Sequence, residues 1–149
     1  MKANGKALSN FDINGYFGKK VHYPRDQLPN KLNDGDIFII NTDDHRGPGE
    51  HFVAMKNVNG YSMYFDSFGM AMLPEAQKLA KKRKDEIIRN TYRIQAFDSV
   101  KCGYFCIDFL ENAHDYKSYN DFLLNYSPSD FKKNDEIVME RLNLIISKK

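Results

Sequence analysis

The chain reads as a single α+β domain, and three observations predict it. Short apolar runs of strand length gather before residue 70, Asn59-Gly60 joins two of them, and helical periodicity dominates the second half. At 149 residues with 42% apolar side chains spread along its length, the chain can bury one sizeable core but not two comfortable ones. That composition excludes a disordered tail protein. No repeat, low-complexity stretch or linker interrupts it, and the first ten residues and residues 147–149 are expected to fray.

In chain order, Ser9 or Asn10 is placed to cap a short helix reaching about Tyr16, with Gly15 and Gly18 marking the turn that follows. Residues 23–30, with Pro24 and Pro29, read as a surface loop. Residues 35–41 form a short apolar run bounded by turn residues, which predicts a buried strand. Residues 45–50 hold two Gly and one Pro and read as a loop. Residues 51–58 and 61–67 then form a hairpin about Asn59-Gly60, which sets His51 at the start of one strand beside Asp66 near the end of its neighbour. Pro74, followed by Glu75, opens a helix expected to reach about Arg89. Residues 91–97 alternate Tyr92, Ile94 and Ala96 like a further strand, with Gln95 on the face opposite Ile94. Asp98 or Ser99 is placed to cap a helix on which Val100, Tyr104, Phe105, Ile107, Phe109 and Leu110 recur at helical spacing as far as Ala113, so that Cys102 falls in the first turn. Two more helices are predicted, over residues 119–126 after Ser118 and over residues 135–146 after Asn134.

The start, from Met1 to Lys6, lacks the apolar stretch of a signal peptide, and no apolar run approaches the ~20 residues that cross a bilayer. An intracellular or particle-packaged protein without a membrane span is expected. Two cysteines four residues apart make no disulfide framework, which suits a reducing compartment. The net charge of +2 does not by itself predict nucleic-acid binding. Lys78, Lys81, Lys82, Arg83, Lys84 and Arg89 nevertheless crowd one segment. They are read either as a solvated face diluted by Asp85 and Glu86 or as a weak nucleic-acid contact. His22, His45, His51, His114 and the cysteines show no zinc-type spacing, so no metal is expected.

Chemistry concentrates in four residues. His51 is suited to take a thiol proton, Asp66 to orient the imidazole, Gln95 to bind a developing oxyanion and Cys102 to attack. Helix N-termini and protonated histidines both favour a thiolate, and this order gives Cys102 both. Gly103 is expected to leave the approach to its sulfur uncrowded, while Cys106, one turn further on, reads as a small buried hydrophobe.

As a set, His51-Phe52, Phe65-Asp66-Ser67-Phe68-Gly69, Gln95 and Cys102-Gly103-Tyr104-Phe105-Cys106 resemble the adenovirus-type (adenain) maturation proteases and, more broadly, the Ulp-like cysteine peptidases. Cys102 follows Gln95 by seven positions, the adenovirus-type spacing, and Tyr16-Phe17-Gly18 and Ile39-Ile40-Asn41-Thr42 are similar to the family's N-terminal pieces. The resemblance covers roughly residues 10–115. It departs at Phe52, where the family usually has Trp, and at Asp66, where adenoviral enzymes use Glu and Ulp-like ones Asp. Neither change removes a required chemical group; the first reshapes the cleft wall.

The resemblance implies a permuted papain-like fold, with a mostly antiparallel central sheet flanked by helices and the nucleophile at the N-terminus of a central helix. It implies a Cys102-His51-Asp66 triad, with Gln95 and the Cys102 N–H as oxyanion hole. It also implies a monomeric viral endopeptidase that trims capsid or core precursors at Gly-containing sites, made in the infected cell and packaged in the virion of a virophage or virus-like DNA transposon. No cofactor is required. The chain is shorter than the adenoviral enzymes, so their DNA and peptide activators carry over only as an expectation. A deconjugase of ubiquitin-like modifiers and a protein acetyltransferase share the constellation and stand as alternatives, as does a DNA-binding or scaffold protein with an unreactive Cys102.

Overall fold

The computed structural model describes residues 4–43 and 51–147, so the loop predicted at residues 45–50 lies outside the described residues. The elements run α1 Asn10–Phe17, β1 His22–Pro24, a 3-10 turn Arg25–Gln27, β2 Ile37–Asn41, β3 Phe52–Val58, β4 Tyr61–Phe65, α2 Pro74–Arg83, β5 Glu86–Arg89, α3 Cys102–Asn112, α4 Tyr116–Leu123 and α5 Phe131–Ser147. The architecture is α+β, a mixed five-stranded sheet in the order β1-β2-β3-β4-β5. The central pairings, β2 with β3 and β3 with β4, are antiparallel, while β1 with β2 and β4 with β5 are parallel. The sheet is therefore evenly mixed in its pairings where a mostly antiparallel one was expected.

Strand alternation divides the core. Ile39, Ala54, Met63 and Phe65 face the layer of α3, packing with Phe105, Phe109, Phe122 and Leu142. Phe38, Ile40, Val53, Met55 and Tyr64 face the other way, onto Ala76 and Ala80 of α2. Helices thus cover both faces, and α3 lies across β3, the strand that His51 precedes. The hairpin turn adopts positive φ at both Asn59 (53°) and Gly60 (82°), the two-residue geometry that matches strand twist and fixes the β3–β4 register.

Several elements differ from expectation for non-local reasons. Residues 23–30 contribute to β1 and the 3-10 turn, with Pro24, which lacks an N–H, ending the edge strand. The helix from Pro74 stops at Arg83, where Lys84 turns left-handed (φ 63°) and the Asp85 N–H returns to the Ala80 carbonyl. Residues 86–89 then pair with β4, an option that no local pattern announces. Residues 91–97 form no strand, because the backbone N–H groups of Ile94 and Gln95 both donate to the Ser67 carbonyl, at 2.9 and 3.1 Å, and fold the segment against the end of β4. Helix α3 starts at Cys102 without a side-chain cap, so Val100 lies outside it and is exposed. α4 begins earlier than expected because Asp115, not Ser118, is its cap, in a reciprocal pair with Ser118. α5 likewise begins at Phe131, and Asn134, expected as its cap, is buried inside it. The N-terminal strap does not fray over residues 5–8: Lys101 Nζ donates to Gly5 O at 2.8 Å, Tyr104 OH donates to Lys6 O at 2.6 Å, and Leu8 is buried.

Candidate active site

His51 immediately precedes β3, and its carbonyl accepts from the Thr42 N–H at 2.9 Å, which ties it to the end of β2. Asp66 follows β4, so the hairpin leaves it two positions from direct register with His51, close enough for the two side chains to meet. His51 Nε2 lies 2.7 Å from Asp66 Oδ1, and both residues are buried. The carboxylate is held from its own turn: Oδ1 also accepts from Phe68 N–H at 2.8 Å and Oδ2 accepts from Met70 N–H at 3.3 Å. Gly69 closes that turn at φ 67°, and a Cβ there would meet the Tyr92 carbonyl carbon at 2.4 Å. The imidazole is stacked as well as bonded, since Phe68 lies on it at 3.9 Å between centroids and 11° between planes.

The remaining partner is Cys102. It opens α3, half-buried and free, and interacts with the His51 ring closely enough to raise its pKa. With Nε2 given to Asp66, one imidazole lies under the influence of both a carboxylate and a thiol. Burial is the largest single influence on His51 and disfavours its charge. The hydrogen bonds to Asp66 and Cys102, with the negative charge of both, outweigh it and push the pKa up to about 9. A positively charged His51 is the state these surroundings favour at neutral pH. The N–H groups of the first turn of α3 have no intrahelical acceptor, and no side chain caps them.

Gly103 serves packing more than access. A Cβ there would meet Leu8 Cδ1 at 3.2 Å and Phe52 Cδ2 at 3.4 Å, so the strap and the residue after His51 close over the helix where a side chain would begin. Cys106 is wholly buried, donates to the Phe52 carbonyl at 3.4 Å, and burial raises its pKa, which leaves it a neutral thiol.

Gln95 lies buried in the loop that leads to Cys102. Its Oε1 accepts from the Ser67 hydroxyl, and its Nε2 donates to Ser99 O at 3.0 Å and Ser99 Oγ at 3.1 Å. As it stands, the amide braces residues 95–99 against the Asp66 turn, with both its N–H groups on Ser99.

Three contributors escaped the sequence. Asn90 clamps the Asp66 backbone on both sides: its Oδ1 accepts from Asp66 N–H at 3.0 Å, and its Nδ2 donates to Asp66 O at 2.6 Å. The Tyr119 hydroxyl, buried behind it, accepts from Asn90 N–H at 3.0 Å. Ser99 shows its part only through Gln95. Nothing local marks Asn90 or Tyr119 for this part, Ser99 was read only as a helix cap, and Phe68 stood inside the motif that carried the resemblance.

The basic side chains lie on another face. Lys78, Lys81 and Lys82 project from α2, on the sheet face opposite α3, and Arg89 sits on β5. Within the group, Arg83 pairs with Asp85 at 3.2 Å and Asp34 at 3.4 Å, and Lys82 Nζ donates to Asn30 O at 3.1 Å. Among the described residues, which exclude His45, no three His, Cys, Asp or Glu side chains converge as a metal site would require. Among them too, no helix is long and apolar enough to cross a membrane. No protein-family model matches the chain, and no curated protein sequence matches it.

Proposed function

We propose that this chain is a cysteine endopeptidase with Cys102 as nucleophile, His51 as base and acid, and Asp66 as the group that orients His51. One observation carries the reading: a buried imidazole held through Nε2 by a carboxylate at 2.7 Å and interacting with the half-buried thiol that opens a helix. No packing role requires that combination. In the proposed reaction the Cys102 sulfur adds to a peptide carbonyl while His51 holds the thiol proton. The oxyanion meets the Cys102 N–H and Gln95, whose amide gives up a bond to Ser99 to reach it. The tetrahedral adduct collapses to a thioester as His51 protonates the departing amine, and water, deprotonated by His51, then releases the acid and restores the thiol.

The finer reading rests on the resemblance set out above. We take the sheet with α3 against β3 as the permuted papain-like arrangement, and the substrate as capsid or core precursor proteins cut at Gly-containing sites, in the manner of adenovirus-type maturation proteases. The exposed lysines of α2 are assigned to a weak nucleic-acid contact. Duplex DNA retained at low ionic strength and released by salt supports that contact, and no binding at low salt removes it.

The test is incubation of the reduced protein with a diverse peptide library, with new termini mapped by mass spectrometry. Cleavage is expected at Gly-containing sequences and is expected to vanish in Cys102→Ala and His51→Ala. Gln95→Ala is expected to lower kcat by ~10²–10³, the effect of losing one oxyanion donor. Near-normal turnover in Cys102→Ala would sink the assignment. Cleavage of folded modifier fusions alone would replace it with a deconjugase, and acyl-CoA-dependent labelling with an acetyltransferase.

A further inference from the structure

We propose that Phe97 is a specificity-determining side chain, presented on Phe68 beside His51, that takes an apolar and preferably aromatic residue among the first two after the bond cut. The inference deepens the endopeptidase reading and rests on it.

Phe97 is 65% exposed, a large ring left in water although the core lies close by. It is nonetheless held firmly. The Ser99 N–H donates to the Ala96 carbonyl at 3.0 Å, so Phe97 sits at the second position of a closed four-residue turn, and Gln95 ties the same turn through Ser99. The Arg93 guanidinium covers Phe97 at 4.1 Å from its centroid and is itself seated on Phe131 at 4.3 Å. The ring tilts against Phe68 at 4.9 Å, and Phe68 lies flat on His51. A fold that only needed to bury Phe97 would not fix it in this outward pose. The arrangement is an aromatic ridge of fixed geometry, running from the imidazole outward, with its outer ring backed by Arg93 and still largely exposed.

The chemistry names what covers it. In the proposed reaction His51 delivers a proton to the leaving amine, so that nitrogen must come within ~3 Å of the imidazole. The chain beyond the cut bond therefore leaves past His51. An extended peptide advances ~3.3–3.6 Å per residue, so with ring separations of 3.9 and 4.9 Å the ridge is within reach of one of the first two residues after the cut. A rigid aromatic platform there rewards an apolar partner and gives little to glycine.

The test uses peptides with Gly before the cut and the next two positions randomised, and reads kcat/KM for aromatic relative to small residues there. The wild type is expected to favour the aromatic residue by roughly tenfold, the size of a modest apolar subsite. Phe97→Ala is expected to lose the preference, while Phe97→Tyr keeps it and Leu124→Ala, an exposed apolar change after α4, leaves it in place. No preference in the wild type, or one that survives in Phe97→Ala, overturns the proposal. Alkylation of Cys102 separates its failure from that of the endopeptidase reading. N-phenethyl iodoacetamide is expected to outpace iodoacetamide in the wild type by a ratio that drops in Phe97→Ala. If no peptide is cut, the endopeptidase reading fails and that ratio alone decides the ridge, an unchanged ratio overturning it.

Discussion

His51 carries more charge at neutral pH than a solvated histidine, and this fixes the sign of a pH effect. Its folded pKa of about 9 stands above the ordinary 6.5, so its contribution to stability is fully present below about 6.5 and is lost as pH rises through about 9. Thermal unfolding from pH 6 to 10 should show the wild type losing an advantage over His51→Gln across that window. A constant difference would mean that the surroundings of His51 do not hold its proton there. Asn90 acts one step behind, through the Asp66 backbone. Asn90→Ala leaves a buried N–H and C=O without their partner and is expected to cost about 1–3 kcal/mol in urea unfolding. As a positioning residue it should also lower kcat with little change in KM and move the alkaline limb of the rate profile toward neutral pH. A fall in stability with an unshifted profile would reduce Asn90 to a packing role.

At the scale of elements, the site is a strand pair, a turn and a helix start, and these were not equally legible. The hairpin carrying His51 and Asp66 was readable because Asn59-Gly60 fixes its own geometry. The helix of Cys102 was readable because Tyr104, Phe105, Ile107, Phe109 and Leu110 make a dense apolar run of helical length, and the structure buries that run on all sides. The segment between Arg89 and Cys102 was not, because its backbone partners are Ser67 and Asp66, far away in sequence, so alternation in residues 91–97 imitates a strand. The 66–70 turn is the hinge of this arrangement, and Gly69 is its tightest point. Gly69→Ala introduces a Cβ at 2.4–2.7 Å from the backbone of Tyr92 and Arg93, at a positive φ. It should lower the melting temperature and, by displacing Asp66, turnover per folded molecule; full activity with native stability would show that the turn tolerates rearrangement.

Across the whole molecule, helices on both sides of the sheet separate the candidate chemistry from the basic surface of α2. The α3 layer is locked by a polar knot under the site. Asp108, fully buried on α3, accepts from Arg141 of α5 at 2.8 and 3.1 Å, from Asn112 at 2.7 Å and from the Tyr126 hydroxyl beyond α4. Arg141→Met strands that carboxylate and should cost about 3 kcal/mol, since breaking such a pair leaves a buried charge. The loss is expected in the urea midpoint, with Cys102 reactivity unchanged in the folded fraction. Reduced reactivity there would tie α5 directly to the site. What makes Cys102 a nucleophile in this reading is a base delivered by the fold from the residue before β3, 51 positions earlier. The rate of iodoacetamide alkylation at Cys102 near pH 7, in the wild type and in His51→Ala, tests it without any assumption about substrate. The wild-type rate is expected to be at least about tenfold above that of His51→Ala, because the variant removes the positive partner that favours a thiolate. Equal rates in the two folded proteins would contradict it.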